Sequence, residues 1–169
     1  MKFTFQKFAF IFFAMILAFS LTSCEPEDPD GGEETITTVR LNFDNGVDAV
    51  TWMEGQSAPD ITLAENTTYQ VTVEFLDESD PNDVEDITEE IEEEDDEHLV
   101  CYEVTSADLS IQRTDSDGQF EIGLASEWTT GSASTGVLVL ELRHQPGVKD
   151  GSCDPGESDV EVDFNVIIQ

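Results

Sequence analysis

The sequence predicts an all-β domain: an immunoglobulin-like antiparallel β-sandwich with one short acidic helix on an inter-strand connection. Three observations carry this. Apolar residues recur with period two in several segments, which marks strands with one face in a core and one in water. Turn-forming residues separate those segments at sandwich-like intervals. One acid-rich stretch breaks the pattern, with apolar residues three and four apart.

Taken in order, Val39, Leu41 and Phe43 alternate with Arg40 and Asn42. Asp44-Asn45-Gly46 follows, and Asn-Gly is the strongest short hairpin signal, so residues 47–52 are expected to pair back. Tyr69, Val71, Val73 and Phe75 alternate with Gln70, Thr72 and Glu74. From Asp77 to Glu97, 14 of 21 residues are Asp or Glu. Within that run Val84, Ile87 and Ile91 form one helical face, which predicts a helix over 84–95. Like charges four apart weaken a helix by a few tenths of a kcal/mol per pair, on the order of 0.3. Its stability must therefore come from docking those apolar residues or from bound cations. Strands are expected over 99–104, 109–113 and 119–125, with the turn Asp115-Ser116-Asp117-Gly118 between the last two. Residues 137–142 are apolar on both faces, as for a central strand. Val160, Val162, Phe164, Val166 and Ile168 close the set. A barrel is the alternative closure of these strands.

The N-terminus reads differently. Lys2 and Lys7 precede an unbroken apolar run from Phe8 to Phe19. A helix of that length spans about 18 Å, whereas a hydrocarbon core needs about 30 Å. The run is a signal-peptide core and not a membrane span. It ends in Leu21-Thr22-Ser23-Cys24, which resembles the lipobox of bacterial lipoproteins. The resemblance implies cleavage before Cys24, a diacylglyceryl thioether on that cysteine and an acylated new N-terminus, hence a partner in the lipid bilayer. Each buried methylene contributes about 0.8 kcal/mol, so several chains anchor stably where one does not. The next residues are Glu25-Pro26-Glu27-Asp28-Pro29-Asp30. An acidic cluster there resembles the surface-export signal of Bacteroidota lipoproteins. It implies the outer membrane, with the domain facing outward. The expected organisation is a signal peptide over 1–23, an acidic flexible tether over 24–34 and a β-sandwich over 35–169.

Charge bounds the function. The chain carries −33 at pH 7. Beyond residue 23 only Arg40, Arg113, Arg143 and Lys149 stand against 39 acids, a net −35. Such a surface repels nucleic acid and anionic headgroups and attracts divalent cations or a basic partner. Adaptation to a salty medium, where screening relieves self-repulsion, explains the same composition.

Several residues are candidates for chemistry. The 149–159 loop joins two strong strands and is longer than a hairpin requires. It gathers Asp150, Asp154, Glu157 and Asp159, a candidate cation-binding loop, although a solvated acidic loop fits equally. The 77–97 run is the second cation candidate, but it lacks the spaced glycine and terminal glutamate of a calcium loop. The 115–118 turn resembles the middle of such a loop and fails at both ends, where Arg113 and Leu124 stand. With Cys24 used for lipid, Cys101 and Cys153 remain, and an envelope compartment permits a disulfide between them. His98 and His144 complete the soft-ligand inventory. A four-residue metal site is disfavoured, because His98 and Cys101 point to opposite faces of a strand. Trp52 and Trp128 suit a sugar platform or, more commonly, a sandwich core. The glycosylation sequon Asn66-Thr67-Thr68 carries no weight beside a bacterial lipobox. No Gly-x-Ser-x-Gly, His-Glu-x-x-His or phosphate-binding glycine loop is present, so no enzymatic activity is expected.

Beyond the leader, the chain resembles a group of small flavobacterial lipoproteins. The resemblance rests on residues 36–41, 68–76 and 85–91, then on Leu142-Arg143-His144-Gln145-Pro146 and Lys149-Asp150-Gly151-Ser152-Cys153. Such proteins are often labelled type 1 periplasmic-binding-fold. That label implies an α/β chain about twice this length, against the all-β pattern here. They accompany TonB-dependent outer-membrane receptors, so the resemblance implies an accessory role in uptake beside such a receptor. The expectation is a membrane-anchored, ligand-binding accessory module for a metal ion or metal complex. A protein-interaction or structural envelope lipoprotein without a small ligand is the alternative.

Overall fold

A computed structural model of the protein describes residues 34–169; the expected signal peptide, Cys24 and the expected tether up to residue 33 lie outside the described residues. The elements in chain order are β1 (Thr38–Phe43), β2 (Val50–Met53), β3 (Ile61–Leu63), β4 (Thr68–Asp77), β5 (Glu85–Asp86), α1 (Ile87–Glu93), β6 (His98–Thr105), β7 (Leu109–Arg113), β8 (Ala125–Thr130), β9 (Ser134–His144) and β10 (Glu157–Ile168). They form two sheets. One has the order β2-β1-β4-β8-β7, with β5 also on β4; the other has the order β3-β10-β9-β6. This is the all-β sandwich that the period-two pattern predicts, and the strands close no barrel.

The alternation determines the core. Val39 and Leu41 of β1, with Tyr69, Val71, Val73 and Phe75 of β4, turn inward from the first sheet. Leu138, Leu140 and Leu142 of β9 and Val162, Phe164 and Val166 of β10 meet them from the second, in one continuous cluster. Burying each such side chain contributes about 1.5–3 kcal/mol. Trp128 is fully buried at the centre, with its indole N–H donated to Ser126 Oγ at 2.8 Å. Trp52 is half-buried near the β2 edge and donates to the Gln56 carbonyl. One tryptophan of the two is therefore core.

Several boundaries differ from expectation, each for a physical reason. The β1–β2 hairpin forms with Leu41 opposite Val50, so residues 47–49 belong to the connection and not to a strand. Asn45 and Gly46 supply the positive φ values of 62° and 77° that its turn requires. β3 is an added strand, and it pairs parallel with β10 in an otherwise antiparallel sandwich. Residues 119–124 form no strand beyond a single bridge, Ser116 to Glu121. Asp115 accepts the N–H groups of Gly123 and Ala125 and folds the segment into a long turn instead. β9 is central as expected, but its faces are unequal: Leu138, Leu140 and Leu142 are buried, whereas Val137 and Val139 are half-buried.

The helix is shorter than the apolar spacing predicts. α1 starts at Ile87 because Asp86 caps it, its carboxylate accepting the Thr88 N–H. Glu85 and Asp86 are held as β5 against β4. Ile87 and Ile91 are buried, but Val84 precedes the cap and is 52% exposed. Thr88 fastens the helix to the sheet: its hydroxyl accepts the Phe75 N–H and donates to the Phe75 carbonyl. Docking of two isoleucines and this double hydrogen bond hold α1 against its own charge repulsion. Its C-terminal end, at Glu94, is thereby placed beside the start of β6.

Candidate metal-binding site

The α1–β6 turn and the end of β9 meet at one end of the second sheet. β6 and β9 pair with His98 directly opposite His144. The two imidazoles stack, with ring centroids 4.7 Å apart and planes 8° from parallel. Glu94, at the C-cap of α1, brings a carboxylate to the same place. One donor atom from each of Glu94, His98 and His144 lies within 4.8 Å of the other two. A His/Glu arrangement able to hold a metal ion is thus present.

The orientation of His98 is fixed by its backbone. His98 is only 2% exposed, and its Nδ1 lies 3.2 Å from the Glu94 carbonyl oxygen. A carbonyl only accepts, so Nδ1 carries the proton and Nε2 presents its lone pair. Metal-binding histidines are characteristically oriented in this way, with the second ring nitrogen donating to a carbonyl or carboxylate. Burial holds the His98 imidazole below its ordinary pKa range, and the neighbouring His144 adds to this against the opposing Glu94 carbonyl. The ring is neutral at pH 7 and available as a ligand. His144 Nε2 is buried without a hydrogen-bond partner, 3.6 Å from Glu97 Oε2. A buried nitrogen lone pair or N–H left unpaired is costly, by about 1–3 kcal/mol, unless an ion or proton partner satisfies it.

The 145–156 loop braces this turn. The Gln145 N–H donates to the Glu97 carbonyl at 2.6 Å. Lys149 donates to the Asp95 carbonyl and pairs with Asp117 at 2.9 Å, with both side chains buried. Cys101 and Cys153 form a disulfide that ties the loop to β6. The Arg143 guanidinium gathers the carbonyls of Asp154, Pro155 and Gly156, and Gln145 Nε2 donates to Ser152 and Pro155. Gly156 has φ +83°, and a Cβ there would meet the His144 carbonyl, so only glycine lets the loop return this close.

The sequence-derived candidates therefore separate. The soft-ligand set of His98, Cys101, His144 and Cys153 divides into a disulfide and a histidine pair. Cys101 stands opposite Glu141 and His98 opposite His144, so strand geometry keeps the sulfurs away from the imidazoles. Among the described residues, Asp150, Asp154, Glu157 and Asp159 are not brought together in a donor group of the kind that Glu94, His98 and His144 form. Asp150 is used within the loop, accepting the Ser152 N–H and hydroxyl. Asp154 and Glu157 are exposed, and Asp159 lies beside Glu34. Glu34, expected at the end of a solvated tether, is partly buried. Its carboxyl is pushed up to about 7 by burial first, then by Glu90, Asp159 and Glu94.

Glu94 was indistinguishable in sequence, one acid in a run of six from 92 to 97. Its position four residues before His98 is the only local signal. The chain matches no protein-family model, no curated protein and no solved structure.

Proposed function

We propose that the protein is a lipid-anchored envelope module that captures a divalent transition cation at Glu94, His98 and His144, as an accessory to an outer-membrane transporter. One observation carries the cation reading: two imidazoles meet across a β-ladder, one oriented by a carbonyl and the other with its Nε2 buried and without a hydrogen bond. Two nitrogens and a carboxylate suit Zn²⁺, Cu²⁺ or Ni²⁺, whereas Ca²⁺ and Mg²⁺ prefer oxygen alone. The surrounding −35 charge raises the local cation concentration and speeds encounter. The lipobox at Leu21–Cys24 supports the anchor, and the acidic residues after Cys24 support outer-membrane placement.

Thermal melting at fixed ionic strength tests this, with EDTA or with Zn²⁺, Cu²⁺, Ca²⁺ or Mg²⁺ added. A specific ion at a hundred times its Kd adds about 2.7 kcal/mol. One transition ion raising the midpoint by several degrees, with the His98→Ala variant unresponsive, supports the reading. Equal small shifts from every ion, reproduced by NaCl, amount to charge screening and reject it.

A second reading, a protein-interaction module, is favoured by a cavity of about 600 Å³ beside α1, lined by Glu89, Glu92 and Asp95 together with Val73 and Leu124. That groove suits a cationic segment. Among the described residues, the exposed large apolar side chains are Met53, Val84 and Val148.

A further inference from the structure

The three donors leave the coordination shell of a tetrahedral ion one short. A further carboxylate, Glu97, stands next to one of them, His144, and lies outside the group of three. Glu97 Oε2 lies 3.6 Å from His144 Nε2, which is long for a hydrogen bond, and the nitrogen has no other partner. Zinc binds nitrogen and oxygen at about 2.0–2.1 Å, so neighbouring donors of a tetrahedral site are about 3.3–3.4 Å apart. The Glu97–His144 separation is therefore close to the edge of a coordination tetrahedron.

The backbone turn brings Glu94 and Glu97 to the same end of β6. The Glu94 carbonyl accepts the Glu97 N–H at 2.9 Å as well as His98 Nδ1, so residues 94–98 wrap around one oxygen. That turn is held from outside by Gln145 and Lys149, and the Glu97 side chain, 38% exposed, reaches toward His144.

We propose that Glu97 is the fourth ligand, so that Glu94, Glu97, His98 and His144 fill a closed shell of two nitrogens and two oxygens. This rests on the cation reading above and narrows its substrate. A shell filled by the chain leaves no position for an outside ligand, and the species bound is the bare divalent ion stripped of its water, not a metal chelate.

The geometry also says which part moves. Lone pairs of nearly parallel rings run side by side and do not meet at one point. His98 is pinned by burial and by the Glu94 carbonyl. The His144 side chain retains 18% exposure, and its Nε2 has no hydrogen bond to break. Ion uptake therefore turns His144, drawing donors now within 4.8 Å towards about 3.3 Å.

Co²⁺ titration of the full chain in detergent tests the proposal, because four-coordinate Co²⁺ absorbs visible light far more strongly than six-coordinate Co²⁺. The wild type is expected to develop the intense spectrum saturably, and added azide is expected to leave it unchanged. The Glu97→Gln variant is expected to bind more weakly by at least about 10-fold, to lose intensity as water enters, and to respond to azide. Its melting without metal is measured alongside, so that a loss of binding is read apart from a loss of stability. Saturable binding that requires His98, with an unchanged Glu97→Gln spectrum and affinity, would overturn the fourth ligand while leaving the cation reading intact. An azide response in the wild type would do the same. No saturable Co²⁺ spectrum in the wild type, or undiminished binding by His98→Ala, would remove both.

Discussion

Cys101 and Cys153, 52 residues apart in sequence, are joined by a disulfide that fastens the 145–156 loop to the middle of β6. Because His98 lies three residues from one cysteine and His144 immediately precedes the loop, the bond closes a small circuit around the histidine pair. Closing a loop of this length removes unfolded-state entropy worth about 4 kcal/mol in the chain-entropy treatment. The Cys101→Ser/Cys153→Ser double variant is expected to lose about 2–4 kcal/mol in urea denaturation. A loss below about 0.5 kcal/mol would show that Arg143 and Gln145 hold the loop unaided.

Glu34 provides a pH test. Its carboxyl is raised from 4.5 to about 7, burial being the main cause. The folded state thus holds this proton more tightly than the unfolded chain. The associated stability is fully present below about pH 4.5 and is lost as pH rises through 7. In Glu34→Gln the loss is absent. The Tm of the variant minus that of the wild type should therefore grow from pH 4.5 to about 7 and level off above it, measured with EDTA at fixed ionic strength. A difference independent of pH would mean that the carboxyl titrates normally.

The register of the acidic helix is checked by two apolar truncations. Ile91 is fully buried, and Ile91→Ala is expected to cost about 2–5 kcal/mol. Val84 lies outside the helix and is exposed, so Val84→Ala should stay within about 0.5 kcal/mol. Equal costs would place Val84 on a docked face, as its spacing in sequence suggests.

Lys149 is predicted to matter through the turn it holds. Its ammonium is buried between the Asp95 carbonyl and Asp117. Lys149→Met removes the ion partner of Asp117, whose carboxylate keeps the Gln119 and Phe120 N–H bonds, a loss of about 1–3 kcal/mol. Chemical denaturation without metal measures it. Adding Asp117→Asn to the same chain should recover part of the loss, because the orphaned charge is then gone; no recovery would mean that the Asp95 contact carries the effect.

Much of the fold was legible from local pattern. Alternation at 39–43, 69–75 and 160–168 is a direct consequence of a strand presenting successive side chains to opposite faces. Asn45-Gly46 gave a hairpin because few other pairs accept two positive φ values. The helix was legible in existence but not in extent: Val84 fits the periodicity, yet the Asp86 cap and the β5 pairing end the helix beyond it. Residues 119–124 misled for a similar reason, since the two N–H groups taken by Asp115 compete with strand pairing and leave no mark in hydrophobic pattern.

The sequence by itself determined the sandwich class, the charge of the surface, and the small inventory of histidines and cysteines from which any soft-metal chemistry must be drawn. Those are properties of composition and of short-range spacing. Tertiary structure decided which of them meet. Strand register set His98 against His144 and Cys101 against Glu141, and the path of the 145–156 loop took Cys153 to Cys101. It also brought Glu94, out of a surface crowded with equivalent carboxylates, beside the two histidines. Register depends on the packing of whole strands and on loop closure over tens of residues, so no local window of the chain contains it.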